Sequence, residues 1–159
     1  MKKTKSSERA RAAAIVAALE EYFPAAECAL NYEGDPWRLL VLGRLSAQCT
    51  DKRVNIVAVP LFEHYPDAAA MADADLIELE EIIRPCGLFR TKAQNLIDAS
   101  RMIIERFGGE VPSGMDDLLL LPGVGRKIAN LIRGDVFGLP AIVADTHCIR
   151  IAGKLGFYP

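Results

Sequence analysis

The sequence predicts an all-α fold, and three of its features lead there. Apolar residues recur at helical spacing through almost every segment, while runs of alternating β-branched residues are absent. Capping residues and Pro or Gly stops bracket those segments at helix-like lengths. No internal repeat, low-complexity stretch or long linker interrupts the series. With 159 residues the chain has the length of one domain and can bury a substantial core.

Taken in order, Ser6 or Ser7 is placed to cap a first helix that reaches about Phe23 and stops at Pro24. Asp35-Pro36 pairs a capping carboxylate with a proline at the first helical position, opening a helix through Gln48. Thr50-Asp51 caps the next, which runs to about His64; Pro60 inside it predicts a kink or an early end. Asp73 or Asp75 opens a helix with Leu76, Leu79, Ile82 and Ile83 on one face, ending at Pro85 and Gly87. From Thr91 to Phe107, the set Ala93, Leu96, Ile97, Ile104 and Phe107 keeps helical spacing, and Gly108-Gly109 closes it. A short helix from about Met115 to Leu121 is broken by Pro122-Gly123-Val124-Gly125, after which a second runs from about Arg126 to Phe137. Asp145 precedes a last helical pattern with Ile149, Ala152 and Leu155 on its apolar face.

The net charge of -2 and pI near 5.7 carry no global signature of nucleic-acid binding. Any phosphate-binding cations must therefore be gathered on one face, because affinity follows local potential. Cys28, Cys49, Cys86 and Cys148 are widely spread, without a CxxC pair, and there are only two histidines. That pattern predicts reduced thiols rather than a disulfide framework or a zinc site. No apolar run approaches the length of a membrane span, and the basic start Met1–Lys5 is not followed by an apolar core with a cleavage site. A membrane partner and a secretory signal are therefore not expected.

The most informative stretch is the break between the two short helices. Two glycines bracketing one small apolar residue let the backbone turn sharply and approach a ligand closely. The amides of Gly123 and Gly125 at the positive end of a helix suit a phosphate oxygen, and Val124 can plug the gap between the helices. A plain helix–helix turn would look similar. Arg126 and Lys127, however, are cations in the first turn of a helix, where they oppose its dipole. A local rule broken without structural gain marks a place to look for function. Arg126 or Lys127 could hold phosphate beside the amides. Alternatively, the dipole and partial burial could lower the pKa of Lys127 and leave a neutral amine able to attack carbon. Spacing does not separate the two.

Asp145 reads either as a plain N-cap or, facing a cleft, as a fixed anion for a developing cation. His147, two residues on, suits a structural or phosphate-contacting role better than that of a base.

Leu121-Pro-Gly-Val-Gly-Arg-Lys-Ile-Ala-Asn130 resembles the hairpin of the endonuclease III family, pyrimidine-lesion DNA glycosylases that are also AP lyases. Asp145-Thr-His is similar to that family's aspartate motif, and Leu45-Ser-Ala-Gln-Cys-Thr-Asp-Lys-Arg-Val-Asn55 to its second signature. Ile83-Arg-Pro-Cys-Gly-Leu-Phe-Arg-Thr-Lys-Ala93 and Gly109-Glu-Val-Pro112 extend the resemblance over residues 8–158. It implies the helix-hairpin-helix glycosylase fold, with Lys127 as Schiff-base amine and Asp145 as catalytic carboxylate. Gln48 would fill the gap left by a flipped base, Leu88 would wedge into the duplex, and Gly123, Val124, Gly125, Arg126 and His147 would bind DNA. The implied reaction is excision of oxidised pyrimidines with β-elimination, on double-stranded DNA carrying damaged pyrimidines or abasic sites. The implied setting is a cytoplasmic, nucleoid-associated monomer. A non-catalytic helix-hairpin-helix DNA-binding module, or a glycosylase of the same fold with another base specificity, are the alternatives.

Residues 1–30 are expected to form an N-terminal helix belonging to a cluster subdomain, 31–138 a six-helix domain with its hairpin at 115–137, and 139–159 the truncated start of a C-terminal subdomain. Full-length family members carry a 4Fe-4S cluster on four clustered cysteines further on; those ligands are absent here, and no metal site is expected within the chain. Ile128 stands where the family usually has threonine, and Ala152-Gly153-Lys154 replaces a usual Ser-Asn-Arg.

Overall fold

The structure, a computed structural model, describes residues 5–157. Among them are nine α-helices and one 3₁₀ turn: α1 (Lys5–Tyr22), α2 (Pro36–Leu45), α3 (Asp51–His64), α4 (Ala68–Ala72), α5 (Leu76–Ile83), the turn Arg84–Cys86, α6 (Phe89–Phe107), α7 (Met115–Leu120), α8 (Arg126–Asp135) and α9 (Thr146–Lys154). The described residues contain no strand. No described helix is long and apolar enough to cross a membrane.

Helix α2 is the centre of the molecule. Leu39, Leu40, Val41, Leu42 and Leu45 are all buried, so the helix is apolar nearly all round, as a core helix must be. It packs against α3, α6 and α8, while α4 and α5 lie along α6. Each fully buried leucine contributes roughly 1.5–3 kcal/mol relative to an exposed one. The approach of α2 to α8 depends on Gly43. A Cβ there would come within 3.3 Å of Ile128 Cγ2, so glycine lets the two helices meet closely.

Helix starts agree best with the sequence. Asp35 accepts from the Trp37 and Arg38 amides, Thr50 from Arg53, Asp75 from Glu78 and Asp145 from Cys148. Other boundaries differ. Lys5 is already helical, so Ser6 and Ser7 lie in the first turn of α1 instead of capping it. The basic residues before Lys5 lie outside the described residues. Helix α2 stops at Leu45 rather than Gln48; the Ser46 hydroxyl donates to the Gly43 carbonyl at 2.8 Å, competing with the helical ladder. Helix α3 continues through Pro60 without ending, because the proline lies on an exposed face where water can take the carbonyl it leaves unpaired. Helix α4, five residues capped by Asp67, is too short to show periodicity in the sequence.

Candidate DNA-processing site

The hairpin is built by α7 and α8. Val124 is buried between them, its amide donating to the Leu121 carbonyl at 3.0 Å. Gly123 has φ of +78°, and a Cβ on it would lie 2.6 Å from Arg44 Nε and 2.9 Å from Asn95 Oδ1. Both its conformation and its floor therefore require glycine. Arg44 reaches that floor from α2 and donates through Nε and Nη2 to Asn95 Oδ1 of α6, at 3.1 and 2.8 Å. Gly125 differs: its backbone is extended, and a Cβ on it would meet nothing within 4 Å. It caps α8 without a side-chain hydrogen bond, so the positive end of α8 faces open space.

Lys127 projects from the first turn of α8. Its side chain is exposed, so the partial burial suggested by the sequence is not present. A cleft of about 610 Å³ is lined by Lys127, Asp145, Thr146 and His147, with Ser46, Cys49, Thr50 and Asp51 opposite. Asp145 Oδ1 accepts from the Cys148 amide at 2.7 Å. That bond is the largest influence and, with lesser help from Lys127 and His147, holds the Asp145 carboxyl below the usual carboxylate range against the opposing pull of desolvation. Asp145 is thus both an N-cap and an anion facing a lysine across a cleft.

Lys127 also lines two adjoining hollows. One, about 450 Å³, carries Cys28, Ser46, Asp51, Asp135 and Asp145. The other, about 320 Å³, carries Arg44, Gln48, Gly123, Gly125 and Ile128. Lys127 thus lines three hollows, two of which carry Asp145, one of these also His147, and the third Gln48, Gly123 and Gly125. Arg126 is exposed beside Lys127, in the first turn of α8. Leu88 does not line these hollows; it stands 56% exposed just before α6.

Gln48 and Leu88 share one unusual feature. Their φ angles are +55° and +48°, a left-handed conformation costing roughly 1–3 kcal/mol outside glycine. Sequence reasoning missed what holds them. Lys92 is wholly buried, and its Nζ donates to the carbonyls of Leu45, Ala47 and Cys86 at 2.8, 2.8 and 2.9 Å. Burial pulls its pKa below the ordinary lysine value. A signal existed: Lys92 shares a helical stripe with Leu96 and Ile103, both buried. Ser46 and Asp51, which the sequence shows only as part of a motif and of a cap, both line the cleft.

The four thiols are free and do not converge. Cys49 adjoins Cys86, Cys28 adjoins Asp135, and Cys148 lies in the first turn of α9. Among the described residues no group of three or more His, Cys, Asp or Glu side chains could hold a metal ion.

Residues 44–159 match the HhH-GPD superfamily of base excision DNA repair proteins. The chain is 48% identical over 152 residues to endonuclease III of Synechocystis, covering 95% of this chain and 69% of that protein. It is 47% identical over 136 residues to endonuclease III of Bacillus subtilis, covering 86% of this chain and 62% of that one. The chain thus spans about two thirds of the length of these relatives. A solved structure described as a trapped endonuclease III–DNA covalent intermediate superposes with a TM-score of 0.88 at 42% identity, covering 99% of this chain and 71% of that one. The chain belongs to the endonuclease III family of base-excision-repair DNA glycosylases, within the HhH-GPD superfamily.

Proposed function

We propose that this chain carries the DNA-binding and reacting groups of a glycosylase that excises oxidised pyrimidines from duplex DNA and then cleaves the strand as an AP lyase. The observation that carries this reading is the convergence of Lys127 and Asp145 on one cleft beside the open amide end of α8. The solved relative trapped as a covalent intermediate with DNA supports a covalent route.

In this reading the amides of Gly123 and Gly125, with Arg126 and His147 nearby, hold backbone phosphates of a damaged duplex whose target nucleotide is flipped out. Val124 keeps the two helices at their spacing. Gln48 occupies the space the base leaves, and Leu88 wedges between neighbouring bases. The Lys127 amine, once deprotonated, attacks C1′ of the sugar. The C1′–N bond breaks, and the base departs with that electron pair and takes up a proton. Asp145, held ionised, offsets the positive charge developing on the sugar. Opening of the sugar ring leaves an imine between Nζ and C1′. Loss of a C2′ proton then expels the 3′ phosphate.

We further propose that residues 31–138, which hold seven α-helices (α2–α8) rather than the six expected from the sequence, form the DNA-binding domain, while 1–30 and 139–159 belong to a second subdomain. Arg11 of α1 supports that pairing: it donates to the Leu155 and Gly156 carbonyls at 2.7 and 3.2 Å. The test is cleavage of a duplex carrying thymine glycol or an abasic site. The unmutated chain should nick it, whereas Lys127→Ala should bind within about threefold yet fail to nick, since the amine acts only in the reaction. Equal nicking by the alanine variant would remove Lys127 from its role.

A further inference from the structure

Outside the cleft, the most unusual group is a lysine with no solvent-exposed surface. Lys92 is wholly buried, and an ammonium in that position needs all three of its protons accepted. All three are, and the acceptors come from two separate segments. Leu45 and Ala47 belong to the end of α2 and the loop after it; Cys86 belongs to the 3₁₀ turn before α6. The first loop presents Gln48 one residue beyond Ala47, and the second presents Leu88 two residues beyond Cys86. Of the three non-glycine residues with positive φ among the described residues, two are these. A strained backbone persists only where its surroundings over-determine it, and here the shared surrounding is one ammonium.

We propose that Lys92 is a positioning residue that clamps the Gln48 and Leu88 loops together, so that both side chains meet a duplex in a fixed relation. This rests on the DNA-facing roles given to Gln48 and Leu88 above. Lys92 touches neither DNA nor the reacting atoms. It fixes the separation of two loops that come from different elements and share no direct backbone hydrogen bond among those the structure shows. Without its charge, two buried carbonyls and one part-buried one lose their donor and both turns relax. The adjoining Cys49 and Cys86 thiols offer no comparable tie, being weak donors and acceptors.

The test compares Lys92→Met with the unmutated chain in two ways. The first needs no DNA. Hydrogen exchange should quicken together at the Cys49 amide, bonded to Ser46, and the Gly87 amide, bonded to Arg84, while the second half of α6 keeps its protection. Faster exchange at one loop alone, or uniformly along α6, overturns the clamp. The second uses lesion DNA. Base release from a duplex should fall about tenfold to a hundredfold, as expected for misplaced contacts, while borohydride trapping on a single-stranded abasic oligonucleotide, which needs no duplex opening, stays within about twofold. In a Gln48→Ala, Leu88→Ala background, Lys92→Met should then cost no further duplex activity. An additive loss there, or unchanged duplex activity in the single variant, overturns the proposal. Should Lys92→Met fail to fold, Lys92→Gln, which keeps two donors on a stem one atom shorter, is read by the same criteria. If the unmutated chain neither traps nor excises, the proposed function fails, and the exchange measurement still decides the clamp.

Discussion

Lys127 and Asp145 line one cleft but stand on regions built very differently. Lys127 opens α8, whose Ala129 and Ile132 are wholly buried and whose neighbours α2 and α7 close around it. Asp145 caps α9, which buries none of its residues. Ile149 and Ile151 are about half exposed, and α9 is tied to α1 by Arg11, through its two hydrogen bonds and its stacking 5.1 Å over Phe157. Helix α1 is itself largely exposed. The amine is thus mounted on the core and the carboxylate on a lightly packed arm. Opening of the arm would leave a lysine able to react at a sugar already lacking its base, but without the anion that helps expel one.

The largest expected difference is in hydrogen exchange. Amides of α9 should exchange about three orders of magnitude faster than those of Ala93–Phe107, because local opening is easiest where buried apolar contacts are fewest. Equal protection of the two would erase the contrast between arm and core.

Next in size is Asp145→Asn. The amide side chain can still cap α9, so the fold should hold, but the fixed charge is gone. Base release should fall about a hundredfold, against little change in DNA affinity, if the anion acts chiefly on developing charge. Loss of affinity in proportion to activity would mean that Asp145 serves only to hold the arm.

The two hairpin glycines sharpen the comparison within the core. Gly123→Ala meets both a positive φ and the Arg44–Asn95 pair, and should destabilise by about 1–3 kcal/mol in a thermal or urea melt. Gly125→Ala meets nothing, so its stability should be unchanged while DNA binding weakens where the phosphate approaches. Similar melts for the two variants would contradict that division.

The smallest effect is on pH. Burial and the Glu78 carboxylate, 3.0 Å from its hydroxyl, push Tyr65 up to about 12. A raised pKa favours the neutral phenol in the folded chain, so its contribution is complete below pH 10, the ordinary value, and is lost as pH rises toward 12. A melting temperature independent of pH across that interval would remove this role. The depressed Asp145 carboxyl works in the opposite sense: it contributes above the carboxylate range and loses its effect in acid.

Helix starts were legible because capping is local: Asp35, Thr50 and Asp145 each announce the helix they open within three residues. The hairpin and the aspartate segment were legible because their chemistry is concentrated in short motifs. Ends were harder to read. The early end of α2 and the positive φ of Gln48 are bound up with a serine back-bond and with a lysine far along the chain, and neither appears in local propensity. Lys92 sat visibly in an apolar stripe, but lysines in such stripes often reach water with their tips, and only tertiary packing shows that this one does not. The convergence of Ser46 and Asp51 on the cleft likewise follows from how α2 and α3 meet α8, which spacing does not encode.

If the Lys127 amine forms a covalent bond to the sugar, trapping followed by residue assignment reads that bond itself. The unmutated chain is incubated with an abasic duplex and borohydride, digested, and the DNA-linked peptide identified by mass spectrometry. One linked peptide is expected, modified at Lys127 on α8. An adduct on Lys52, Lys92, Lys154 or any other amine, or an undiminished adduct in Lys127→Ala, would contradict it.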